Sequence, residues 1–253
     1  MDRIQTGPLT FVHDPGDEEG PSPVARPAAE GPVRPIHLLA DSQLLFWNDH
    51  GRPYLERVLE GLPPIPRAAY LGASNGDDPA FYELFTSALE MVGVAECRQI
   101  PAAPSAEDCA FLVTADLVLL AGGDVERGWR AFEAGGVGEA VVRRWHAGAA
   151  LVGVSAGAVQ LGTTGWAEGD PGLTFPTFGL VPFVVSAHDE ARDWEELRRV
   201  VVARGGEARG LGVPRGGGVI YHPDHTVEAV RNPAVELEVR GGEVAASLLM
   251  PSR

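Results

Sequence analysis

The chain has 253 residues, 45% of them hydrophobic, which is enough for one large core and too short for two comfortable ones. Thirty-five acidic against 20 basic residues give a formal net charge of -15, a field that repels a phosphate backbone and argues against a nucleic-acid partner. Only two cysteines, Cys97 and Cys109, occur, with no disulfide framework or paired-cysteine metal site, and no apolar run approaches the roughly 20 residues of a membrane span, so a cytoplasmic protein without membrane partner, metal or cofactor is expected.

Residues 1–34 carry many prolines, glycines and acids, as in the stretch from Asp14 to Pro21, and read as a tail or loosely attached arm. A single α/β domain is expected over 35–253. It opens with the short apolar run Pro35 to Ala40, a buried first strand. Strands at Arg67 to Gly72 and Asp116 to Ala121 then alternate with helices at Asp78 to Val92 and Val137 to Ala147, the rhythm of a parallel sheet. Asp78 can cap the second-strand helix while Pro79 takes its first position, where a missing N–H costs nothing. The run Ala149 to Val154 is an inner strand buried on both faces. Later segments, Phe183 to Ser186, Gly217 to Tyr221, Thr226 to Val230 and Val235 to Val239, suggest further strands, the last antiparallel at an edge. The predicted architecture is a three-layer α/β sandwich with a mostly parallel central sheet and extra antiparallel strands toward the carboxyl terminus.

The inner strand runs directly into Gly153-Val154-Ser155-Ala156-Gly157-Ala158, a Gly-x-Ser-x-Gly nucleophile elbow in its expected strand-to-helix context. A sharp turn of this kind strains the serine backbone, and small neighbours leave room for it. The Ala156 amide at the helix start then points where an oxyanion would develop. The competing reading is a serine that only caps a helix. Upstream, Leu119 to Asp124 is a strand entering a glycine pair, so Gly122 and Gly123 lie at the same sheet edge, with Gly123 a second oxyanion donor and Asp124 beside it. Asn75, in Gly72 to Asp77, either walls that crevice or belongs to an ordinary loop. Serine needs a base, and among seven histidines His188 is best placed, following the apolar run Val181 to Ser186. His222 and His225 read as a turn between late strands; His13, His37, His50 and His146 have no partner motif.

Taken together, Gly122-Gly123-Asp124, the Ser155 elbow, Phe178-Gly179-Leu180-Val181-Pro182 leading to His188, and Gly210 to Gly216 resemble the dipeptidase E and cyanophycinase family of serine peptidases. The resemblance runs from about Ile36 to the carboxyl terminus. It implies a fold similar to class I glutamine amidotransferases, Ser155 as nucleophile, His188 as base, and small peptide or isopeptide substrates, often with an aspartyl residue. This chain departs from the pattern in three places. Arg215 stands where an acid usually orients the histidine, and a cation there would oppose the imidazolium. Asp170 is the first substitute for that acid. Asp124 replaces an asparagine, and Trp194 falls near the arginine that holds a substrate carboxylate. The leading expectation is therefore a serine-type hydrolase of small peptide or amide bonds; the alternatives are a non-catalytic, small-ligand binding member with a decayed triad and a cyanophycinase-like isopeptidase. Late edge strands could pair in a homodimer.

Overall fold

Alternating strand and helix segments build the chain in the order the apolar pattern dictates, and the computed structural model describes residues 31–167, 169–206, 208–240 and 243–252. The first elements are β1 (Ile36–Leu39), a small hairpin of β2 (Asn48–Asp49) and β3 (Arg52–Pro53), and α1 (Tyr54–Leu59). Next come β4 (Arg67–Leu71), α2 (Pro79–Glu90), β5 (Glu96–Ile100), α3 (Ala106–Leu112) and β6 (Leu117–Leu120). Helices α4 (Val125–Gly135) and α5 (Val137–His146) precede β7 (Ala150–Val154) and α6 (Ala156–Leu161). A second hairpin, β8 (Thr164–Ala167) and β9 (Asp170–Pro176), leads to β10 (Val184–Ala187) and α7 (Glu195–Arg204). The chain closes with β11 (Arg209–Val213), β12 (Gly218–Tyr221), β13 (Val227–Val230), β14 (Ala234–Arg240) and β15 (Glu243–Leu249).

Local signals explain the helix starts. The Asp78 carboxylate accepts the Ala80 amide at 2.9 Å with Pro79 at the first position, and Ser105 and Asp108 form a reciprocal capping box on α3. Asp124 caps α4 by accepting the Arg127 amide at 2.7 Å.

The main sheet has seven strands in the order β13-β12-β1-β7-β6-β4-β5. β1, β7, β6, β4 and β5 are mutually parallel, while β12 and β13 add antiparallel at one side. Strand periodicity divides the core between its two faces. Ile36, Leu38, Leu151, Val118 and Leu120 meet Phe132, Val141, Ala158 and Leu161 of α4, α5 and α6. Leu39, Val152, Val154 and Leu119 face the other way, against Leu55, Val58, Phe85 and Leu89 of α1 and α2.

The late strands differ from the sequence expectation in one respect. They divide between two sheets: β12 and β13 extend the main one, while β10, β11, β14 and β15 form a separate four-stranded sheet in that order. β14 is antiparallel to both its neighbours and lies inside this sheet; the edge beside it is β15, whose mostly exposed sequence gives little apolar signal. Helix α7 connects the parallel pair β10 and β11 and packs Leu197, Val200 and Val201 against Val184 and Leu237. Of the expected amino-terminal arm, residues 1–30 lie outside the described residues. Residues 31–34 are tied to the body, through the Gly31 amide to Ala147 O at 2.9 Å and Arg34 Nε to Gly148 O at 2.7 Å. Cys97 and Cys109 are free and half-buried.

Candidate active site

The carboxyl ends of β6 and β7 carry the site, where the parallel strands hand over to α4 and α6. Ser155 joins β7 to α6 with φ 50° and ψ -109°, a combination that non-glycine residues rarely adopt. Its amide donates to Leu39 O at 2.8 Å, which anchors the strained residue to β1. The backbone must pass closely here, and two glycines permit it. A Cβ on Gly157 would stand 2.1 Å from Leu120 O, and one on Gly153 would stand 2.6 Å from the Gly157 carbonyl group. Although Ser155 occupies the amino-terminal cap of α6, its side chain makes no cap hydrogen bond. The hydroxyl instead lies 2.8 Å from His188 Nε2.

His188 follows the end of β10 in the left-handed region, φ 47°, and its amide donates to Val213 O at 2.9 Å on the neighbouring β11. This turn lifts the ring off the second sheet and across to the serine of the first. Gly123, with φ 131°, brings the loop after β6 so close to Ser74 that a Cβ would stand 2.2 Å from Ser74 O. Among the described residues the amides of Gly123 and Ala156 donate to no carbonyl. Both residues line a cavity of about 320 Å³ with Ser155 and His188.

The far wall of that cavity is charged. Arg192 donates from Nε to Asp189 Oδ1 at 2.7 Å and pairs with Glu196 Oε1 at 3.2 Å. The hydrogen bond to Asp189 holds the Arg192 guanidinium above its ordinary value. Glu196 also accepts from Trp166 Nε1 at 3.0 Å. Asp189 is only 8% exposed, and its buried Oδ2 has no hydrogen-bond partner among the described residues.

Of the residues singled out from sequence, the structure brings together Ser155, His188, Gly123, Ala156 and Asp124 around one cavity. Gly122 lies directly beneath, where a Cβ would sit 3.4 Å from Ser155 Cβ. The other candidates lie elsewhere. Asp170 is exposed at the start of β9 and accepts the Gly172 amide at 3.1 Å in its own turn, outside the cavity lining. Asn75 is held by Tyr70 and the Asp78 amide. Arg215 is exposed; its amide reaches Glu190 Oε1 at 3.3 Å and its carbonyl accepts from Asn232. Neither Asn75 nor Arg215 lines the cavity. Trp194 is buried against Gly212 rather than at the site. Among the described residues no carboxylate is hydrogen-bonded to His188; Asp189 turns to Arg192 and Glu190 to the Arg215 amide. Sequence reasoning missed Trp166, Arg192 and Glu196 as cavity residues. A signal for two of them was present, because Asp189, Arg192 and Glu196 are spaced by three and four residues, the spacing at which helical side chains meet.

Other titratable groups are elsewhere. His222 and His225 occupy the turn between β12 and β13, bonded to Glu228 at 3.2 Å and Tyr221 at 2.6 Å. Among the described residues no group of three or more His, Cys, Asp or Glu side chains could hold a metal ion, and no helix is long and apolar enough to cross a membrane.

The model of peptidase family S51 matches residues 46–228. A peptidase from an acI-B1 Actinobacterium superimposes with a TM-score of 0.63 at 14% identity, covering 86% of this chain and 95% of the other. A candidate peptidase E protein from Listeria monocytogenes EGD-e superimposes with a TM-score of 0.56 at 16% identity, covering 86% and 99%. At these identities the two structures speak for the fold alone. No curated protein matches by sequence.

Proposed function

The chain belongs to peptidase family S51 and is thus a serine peptidase of the dipeptidase E kind acting on small peptide bonds, and we propose that Ser155 is its nucleophile and His188 its base. The observation that carries this reading is the 2.8 Å contact between Ser155 Oγ and His188 Nε2. At that distance His188 takes the hydroxyl proton as Oγ attacks the peptide carbonyl, then passes it to the leaving amine. The amides of Gly123 and Ala156, without other acceptors, receive the oxyanion of the tetrahedral intermediate. Water then repeats the sequence on the acyl-enzyme, with His188 again as base.

Among the described residues no carboxylate is hydrogen-bonded to His188, so in this reading Ser155 and His188 act as a dyad. The same absence favours a second reading, a ligand-binding member of the family that no longer turns over. A fluorophosphonate separates them. Labelling of the wild type at Ser155, lost in Ser155→Ala and slowed on the order of 10³-fold or more in His188→Ala, supports the peptidase. A folded wild type that resists the reagent supports the binding reading. We also assign the protein to the cytoplasm, in keeping with its two free cysteines.

A further inference from the structure

A second cavity opens at the other end of the main sheet. It measures about 290 Å³, lies against the amino ends of β1 and β7 and beside α1, and shares no lining residue with the cavity over Ser155. Ala150 lines it from β7, about 16 Å of extended strand before Ser155. We infer that this cavity binds a small oxyanion, a carboxylate or a phosphate, through Arg34, His37 and Arg57.

Three observations carry it. First, the Arg34 guanidinium donates only to backbone carbonyls, from Nε to Gly148 O at 2.7 Å, from Nη1 to Glu60 O at 2.6 Å and from Nη2 to Gly61 O. These bonds use three of its five N–H groups, and among the described residues no carboxylate pairs with it. A full positive charge thus stands without a counter-ion in a chain of net charge -15.

Second, His37 is 3% exposed and lines the cavity. Its Nδ1 lies 2.7 Å from the hydroxyl of buried Tyr54, which has no other hydrogen-bond partner among the described residues, so the hydroxyl donates and Nδ1 accepts. Burial keeps the ring neutral, with its pKa pushed down to about 3, and the ring hydrogen therefore sits on Nε2. That N–H meets no acceptor among the described residues, yet Nε2 is not one of the sealed polar atoms without a partner, so it opens on the cavity. A ligand oxygen satisfies it.

Third, the lining is cationic. Arg34 and Arg57 face one carboxylate, Glu60, so two against one leave a net of +1 with His37 and His222 neutral. Glu60 is 65% exposed and reaches outward to Arg52 at 4.0 Å. Glu228, which holds Arg57 at 2.9 and 2.5 Å, is not among the lining residues, and it leaves the Arg57 Nε–H and one N–H on each terminal nitrogen for another acceptor. Val58 and Ile220 supply apolar wall, where hydrogen bonds to an ionised group are stronger than in water. A cation in this place would meet two guanidiniums, and a neutral ligand would leave the charge of Arg34 unmatched.

The test uses the full chain at an ionic strength held constant with sodium chloride. Inorganic phosphate, butyrate and, as the cationic control, butylammonium are titrated by calorimetry, and the histidine ring resonances are followed by NMR. The ring of His37 is assigned by its absence in His37→Gln. The expected result is one anion per chain with a Kd of about 1 mM or tighter, no binding of butylammonium, and shifts at His37 and His222 without one at His188. Tighter binding of phosphate identifies a phosphoryl ligand, and tighter binding of butyrate a carboxylate that uses the apolar wall. Arg34→Met should weaken binding tenfold or more, and Glu60→Gln, an exposed change, should strengthen it roughly threefold. No binding of either anion up to about 20 mM overturns the inference. So does a shift at His188 alone, which would put the anion over Ser155, or an unchanged Kd in folded Arg34→Met. Should that variant fail to fold, the histidine shifts of the wild type and the effect of Glu60→Gln decide.

Discussion

Ser155 holds a backbone conformation, φ 50° and ψ -109°, that costs roughly 1–3 kcal/mol and that only its surroundings enforce. The surroundings are a 2.8 Å bond from its amide to Leu39 O and the start of α6, so the strain is stored where the hydroxyl must project. Glycine tolerates such a position without a Cβ penalty but loses more chain entropy on folding. Ser155→Gly should therefore be inactive toward fluorophosphonate yet more stable than the wild type, by roughly 1–2 kcal/mol in a urea titration. A variant less stable than the parent would mean that the hydroxyl bond to His188, and not the strain, dominates the energetics of the turn.

Among the elements, α6 approaches β6 and β7 without the usual side-chain spacer. Gly157 touches the Leu120 carbonyl of β6, and Gly153 of β7 touches Gly157 in turn. This contact sets how far the Ala156 amide stands from Ser155 Oγ. A methyl group at Gly157 would meet Leu120 O at 2.1 Å, so helix or strand has to move. Gly157→Ala should cost roughly 1–3 kcal/mol of stability, and the displaced amide should lower kcat by about 10²-fold. Equal kcat with reduced stability would show that the oxyanion is held elsewhere. The same reasoning explains the second sheet: β10 ends where His188 must cross to Ser155, and the bond from the His188 amide to Val213 O binds that crossing to β11.

Across the whole molecule, acid stability should reflect a buried histidine near the amino end of β1. His37 is 3% exposed, with Nδ1 2.7 Å from the Tyr54 hydroxyl. Burial first, then the positive charges of Arg57 and His222, push its pKa down to about 3 from an ordinary 6.5. Above pH 6.5 neither state of the protein protonates this ring, and the contribution is complete. Between 6.5 and about 3 the unfolded chain takes the proton and the folded one refuses it, so stability falls by up to about 1.4 kcal/mol per pH unit. Glu228, held low chiefly by its hydrogen bond to Arg57, adds a loss of the same sign below the ordinary glutamate range. Urea midpoints measured from pH 7.5 to 4.5 should decline, and His37→Gln should remove most of that slope above pH 5. Parallel slopes in the two proteins would refute the assignment.

What the chain order of residues determined by itself was local: the alternation of strands and helices, the Asp78 cap, and the Ser155 elbow, each written in a few neighbouring residues. His188 was legible for the same reason, since a polar residue after an apolar run emerges at a strand end. The tertiary structure alone decided how the late strands divide between two sheets, because period-2 apolar patterns do not say which neighbour a strand pairs with. It also decided which acids face the serine. Asp170, 15 residues after Ser155, ends on an exposed hairpin, whereas Trp166 and Glu196, 30 residues apart, share a hydrogen bond in the cavity wall. That pairing depends on α7 packing across the second sheet, a contact set by the shape of a whole buried face rather than by any short run of residues.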